Sequence, residues 1–150
     1  MAATHSKLTV HRRGENFVLR RLNDLGLPCT LAPRNATHGH IELLSREKKR
    51  VIATLLVSAR TDRSQAGWVM NQRHEFTSKP GLFYALVDFE PAEPVTYIVP
   101  SAVISDWLKK DHARWLKEDP SHQDNPVRKL RFRLWLDPYR EAWQYVRDKA

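Results

Sequence analysis

His40 and Glu42 stand two residues apart in His40-Ile41-Glu42-Leu43-Leu44, a run that alternates polar and apolar at its start. Alternate residues of a strand project from one face, so an imidazole and a carboxylate would lie side by side. Joined by Glu15 from a segment further up the chain, they make a donor set for a divalent ion. An imidazole in that set suits Zn, Mn or Ni better than Mg. Ser58 ends the following apolar run, and Arg60 lies two residues on, where a cation could polarise an attacking water. A guanidinium with a pKa above ~12 is a poor proton shuttle, which limits that role. His38 and His40 alone are not a metal signature, since no third ligand accompanies them. Taken by itself, Glu15 in a first helical turn is ordinary helix-dipole chemistry, and the group gains meaning only as a set.

A second chemistry is electrostatic. Arg128, Lys129, Arg131 and Arg133 crowd the carboxy-terminal part, with Lys109, Lys110, Arg114 and Lys117 before them. Such residues can track a phosphate backbone, and period-two alternation puts Lys129, Arg131 and Arg133 on one face. A solvated face is the alternative. His122, Asp124 and Asn125 just ahead of them suit a capped turn. Trp107, Trp115, Trp135 and Trp143 sit among apolar residues and read as core. Trp68 has more polar neighbours and is the candidate for stacking on a base, with packing as its alternative.

The composition agrees with a polyanionic partner. Of 150 residues, 25 are Lys or Arg and 17 are Asp or Glu, a formal charge of +8. That length fits one domain with a core of its own. The single cysteine, Cys29, excludes a disulfide scaffold and reads as an inert buried thiol. Gly occurs 5 times, without a phosphate-cradling loop. No run approaches the ~18 apolar residues of a membrane span, and the first residues lack a signal-peptide core, so the cytoplasm is the expected compartment.

These side chains need elements to hold them. Phe17, Val18, Leu22 and Leu25 recur at helical spacing, and Gly26 with Pro28 ends that helix. Strands are expected at 29–32, 40–44 and 51–58, the last two as a hairpin. Val51–Ser58 is apolar enough to be a central strand buried on both faces. Further strands fall at 68–70, 82–89 and 95–99, with a short helix within 71–79. A helix opens at Pro100-Ser101, pauses near Lys110 and resumes through Trp115. Val127–Leu136 alternates as a strand does, and Asp137-Pro138 opens the last helix. The fold class is α/β, with a mixed sheet flanked by helices.

Several of these pieces occur together elsewhere. Gly14-Glu15-Asn16-Phe17-Val18, Leu82 to Asp88, Tyr97 to Ser101, His112 with Trp115, and His122 through Arg131 resemble a bacterial family of small PD-(D/E)XK nuclease-like proteins. The resemblance spans about residues 11–146. It implies one domain over 1–150, with a restriction-endonuclease-like αβββαβ core at about 11–100. A carboxy-terminal helical extension would follow at about 101–150. It also implies an Asp at the first strand of the hairpin and an acid-or-Gln, x, Lys triplet on the second. The carboxylates would hold Mg²⁺ and the Lys would orient water. His40 stands where the Asp is implied, and Leu56 and Ser58 stand where the triplet is implied. Of the set only Glu15 survives.

The expectation is therefore a catalytically degenerate nuclease-like protein with no metal cofactor. It would bind nucleic acid, or a protein of a nucleic-acid-processing or defence system, as a monomer or homodimer. Glu15, His40, Glu42 and Ser58 mark the emptied site, with Arg60, Trp68, Arg128, Lys129, Arg131 and Arg133 on the nucleic-acid side. Two readings stand beside it. One is an active Mg- or Mn-dependent endonuclease with a site moved to Glu15, His40 and Glu42. The other is a pure protein-interaction or inhibitor module. If the site is mapped correctly, Glu15, His40, Glu42 and Ser58 line one cleft.

Overall fold

A computed structural model describes residues 7–32, 40–47, 50–61, 67–122, 127–131 and 134–149. Helix α1 (Lys7–Asp24) turns Gly14, Glu15, Val18 and Leu22 inward and leaves Arg12, Arg13, Arg20 and Arg21 exposed. That is the one-sided pattern an outer helix needs. Its end is closed by Gly26 at φ 75°, with Gly26 N–H on the Asn23 carbonyl and Leu27 N–H on the Leu22 carbonyl. The paired bonds satisfy two orphan carbonyls, and only glycine takes that φ without strain.

Strands β1 (Cys29–Leu31), β2 (His40–Leu44) and β3 (Val51–Arg60) form an antiparallel meander. After β3 the chain makes β4 (Gly67–Asn71) and a 3-10 turn, Gln72–Glu75. It returns as β5 (Leu82–Asp88), parallel to β3, and β6 (Val95–Pro100) pairs antiparallel with β5. The order in this five-stranded mixed sheet is β1-β2-β3-β5-β6. Helix α2 (Ser101–Glu118) follows, then β7 (Val127–Arg131), which pairs with β4 in a separate two-stranded sheet.

Each face of the main sheet has its own core. On one, Val18 and Leu22 of α1 pack with Ile41, Leu55, Val57 and Ala85. On the other, Ile104 and Leu108 of α2 pack with Tyr84, Leu86, Tyr97 and Trp68. Helix α3 (Gln144–Arg147) belongs to the α1 side through Val146 and the preceding Trp143, whereas Leu136 belongs to the α2 side. The chain thus passes over the outer edge of β6 between them. Glu141 makes the crossing. Its N–H donates to the Thr96 carbonyl (2.7 Å) and its Oε2 accepts the Thr96 N–H (2.8 Å). Its Oε1 accepts the Trp143 Nε1–H (2.8 Å), and Arg140 bridges Tyr97. A bare β6 edge would otherwise present open backbone groups. Glu141 holds φ at 50°, a strained value for a residue with a Cβ.

Gly14 is needed for close approach. A Cβ on it would stand 2.8 Å from the Ala59 Cβ and 3.4 Å from Val57 Cγ1. A Gly-to-Ala change inside a helix ordinarily stabilises by about 1 kcal/mol. Here overpacking reverses the sign, and Gly14→Ala should cost about 1–3 kcal/mol in chemical denaturation. Ala59→Gly in the same chain should recover part of that loss. A Gly14→Ala protein as stable as the parent would show that α1 does not lie this close to β3.

Three expectations are corrected. Helix α2 runs unbroken through Lys110 to Glu118. Of the alternating run, only Val127–Arg131 is a described strand, paired with β4. Leu134–Tyr139 is instead a 3-10 helix that contains Asp137 and Pro138, and the last helix is only Gln144–Arg147. Among the described residues the crossover from β3 to β5 carries β4 and a 3-10 turn, and the second long helix comes after β6.

Candidate nucleic-acid interface

The four residues marked as an emptied site do not share a cleft. Glu15 is 1% exposed, on the inward arc of α1 beside Gly14. Strand residues on that face are Ile41, Leu55, Val57 and Ala59, all apolar. His40 pairs with Leu56 and Glu42 with Thr54 across the β2–β3 ladder, so they point away from α1, as does Ser58 beside Leu86. The sheet therefore stands between Glu15 and the other three. Leu56 and Ser58 lie one position out of step with the β3 residues on the α1 face, and one residue is enough to change faces. Among the described residues no three His, Cys, Asp or Glu side chains are grouped to hold a metal ion.

Arg60 and Trp68 are placed inside rather than outside. The Arg60 guanidinium reaches Asp88 Oδ2 at 3.1 Å and Glu90 Oε2 at 3.2 Å. Its side chain is 10% exposed and that of Asp88 is 8%. It also lies 5.9 Å from the Trp68 ring centroid. Trp68 is 1% exposed, meets Tyr97 edge-on at 6.0 Å, and donates Nε1–H to the Val87 carbonyl at 3.1 Å. Neither residue offers a surface to a phosphate or a base. Cys29 is partly buried, and burial pushes its thiol pKa up, away from reactivity.

What does reach the surface is the outer side of α2. Lys109, Lys110, Arg114 and Lys117 all lie on its exposed arc. Lys110, Ala113, Arg114, Lys117 and Glu118 line an open trough of about 490 Å³. Part of this charge is offset locally. Lys110 pairs with Asp106 at 3.0 Å, and Arg114 with Asp111 and with Glu118 at 3.3 Å. Exposed pairs of this kind are worth at most about 1 kcal/mol, so a competing phosphate can open them. Strand β7, with Arg128, Lys129 and Arg131 and no acidic residue, packs beside α2. Arg133 lies outside the described residues.

The end of α2 is fixed by aromatic side chains. His122 stacks flat on Trp115, centroids 4.1 Å apart, and its Nδ1–H donates to the Trp115 carbonyl at 2.7 Å. That bond satisfies one of the orphan carbonyls of the helix end. His112 stacks on the same indole at 6.1 Å. The spaced His and Trp residues thus act as a helix clasp.

Compared with known proteins, the chain matches no family model, no curated protein and no solved structure. Two features of the surface escaped the sequence reading. One is the exposed row Arg12, Arg20 and Arg21 on α1, on the opposite face of the sheet from α2. The other is Phe76, which projects from the loop against α2 with 70% of its surface exposed. An isolated Phe in the polar run 71–79, flanked by Arg73 and Lys79, was the available signal. Among the described residues no helix is long and apolar enough to cross a membrane.

Proposed function

We propose that this chain is a PD-(D/E)XK nuclease-like scaffold that no longer cuts, and that it binds nucleic acid through the layer formed by α2 and β7. The supporting observation is the packing of β7, which carries three cations and no acid, beside the cationic arc of α2. Two basic segments from different parts of the chain then lie next to each other. Polyanions release counterions on such a surface, and this term needs neither metal nor sequence-specific contact.

The order α1, three antiparallel strands, then a strand parallel to the third is in keeping with the proposed scaffold. The loss of cutting is argued from chemistry. A hydrolytic Mg²⁺ site needs two or more carboxylates on one side and a group to activate water. His40, Leu56 and Ser58 stand where the resemblance implies those groups. Plasmid DNA and single-stranded RNA incubated with the protein and Mg²⁺ or Mn²⁺ should stay intact while shifting on a native gel. Cleavage that disappears in a Glu15→Ala protein would overturn the reading.

A further inference from the structure

We infer that Phe76 is a stacking platform for an unpaired base, so that the nucleic acid bound here is single-stranded. The inference rests on the nucleic-acid reading above and narrows it. A lone exposed apolar side chain requires no explanation. Phe76 differs in how firmly it is mounted and in what surrounds it.

The mount is a ladder along α2. Ser101 Oγ accepts the Lys79 N–H and donates to the Lys79 carbonyl, each at 3.1 Å. One turn later Ser105 Oγ donates to the Glu75 carbonyl. One turn further, Lys109 Nζ lies 5.3 Å from the centroid of the Phe76 ring. On the loop itself, Phe76 N–H and Thr77 Oγ1 both donate to the Arg73 carbonyl, at 3.0 and 2.8 Å. Beneath, His74 Nδ1 and the Tyr84 hydroxyl are 2.5 Å apart in the core, and burial pushes the Tyr84 phenol far above its ordinary pKa, so it keeps its proton. Backbone on both sides of Phe76 is tied down, yet the ring is left 70% exposed. A ring held so costs little entropy to engage.

The surroundings are cationic. Lys109 lies over the ring, Arg73 and Lys79 are exposed on the same loop, and the trough of Lys110, Arg114 and Lys117 continues along α2. An aromatic face set in a row of cations matches a strand whose bases and phosphates alternate. A duplex cannot use the ring, since its bases are already stacked on one another. The occupant is therefore a single strand, bound base to ring and backbone to α2.

The test is fluorescence anisotropy with a labelled oligothymidylate, which has little stacking of its own, and a duplex of equal length. Phe76→Ala should weaken oligothymidylate binding roughly 5- to 100-fold, since one stacked base is worth that much, and leave duplex affinity unchanged. Phe76→Trp should restore or exceed the parent affinity. Arg12→Ala/Arg20→Ala, on the other side of the sheet, should alter neither. Because the ring is exposed, Phe76→Ala should unfold at the parent temperature. If the parent binds both probes and Phe76→Ala binds oligothymidylate equally well, the platform is refuted and the nucleic-acid reading survives. If the parent binds neither probe at low salt, both fall. Polyglutamate bound in a Phe76-dependent way, with no oligonucleotide binding, would instead assign the surface to an acidic protein segment and overturn the inference.

Discussion

Arg60→Ala is expected to lower the free energy of unfolding by about 3–5 kcal/mol. The guanidinium joins β3 to the end of β5 and the residues after it, through Asp88 and Glu90, and it lies beside Trp68. Removing it would strand the nearly buried Asp88 carboxylate without its cation. A buried charge left alone costs far more than the pair itself contributes. In a chain of this size the midpoint should fall by roughly 10 °C or more. Arg60→Lys should recover only part of this, because an ammonium cannot fork between two carboxylates. Replacing Asp88 as well, by Asn, should cost less than the sum of the single changes. Strict additivity would mean the two side chains do not interact.

Trp68→Ala is expected to cost about 3–5 kcal/mol, chiefly through the cavity it leaves. The indole lies in the core between β4, Tyr97 and the Val87 carbonyl. Trp68→Phe keeps most of the volume and leaves that carbonyl without its donor, so about 1–3 kcal/mol is expected. The folded Trp68→Phe protein should bind nucleic acid like the parent. A tenfold loss of affinity at unchanged stability would return a stacking role to this residue.

Helix α1 and strands β2, β3, β5 and β6 were legible because their periods are strong and their ends carry glycine, proline or a charged turn. The orientation of β3 was not. A run such as Val51–Ser58 is apolar on both sides, so nothing in it marks which parity faces α1, and a motif laid on it can land on the wrong side. Gly14 held the missing clue, since its close approach to Ala59 and Val57 fixes the parity, but those residues lie more than 40 positions away in the chain. Trp68 misled for a different reason. Its neighbours in sequence are polar, whereas its neighbours in space come from β5 and β6. The period-two pattern through Leu136 outruns the strand, which among the described residues is Val127–Arg131. The apolar residue at 136 is buried all the same, reached by a 3-10 turn.

Affinity for a labelled oligothymidylate, measured in EDTA across a range of salt, addresses the central claim most directly. The logarithm of the association constant should fall linearly with the logarithm of salt concentration. Lys117→Ala and Lys129→Ala should each reduce that slope by about 0.7, as expected for one lost phosphate contact on a single strand. Slopes unmoved by either change, or binding that vanishes when metal is chelated, would contradict a metal-free basic layer on α2 and β7.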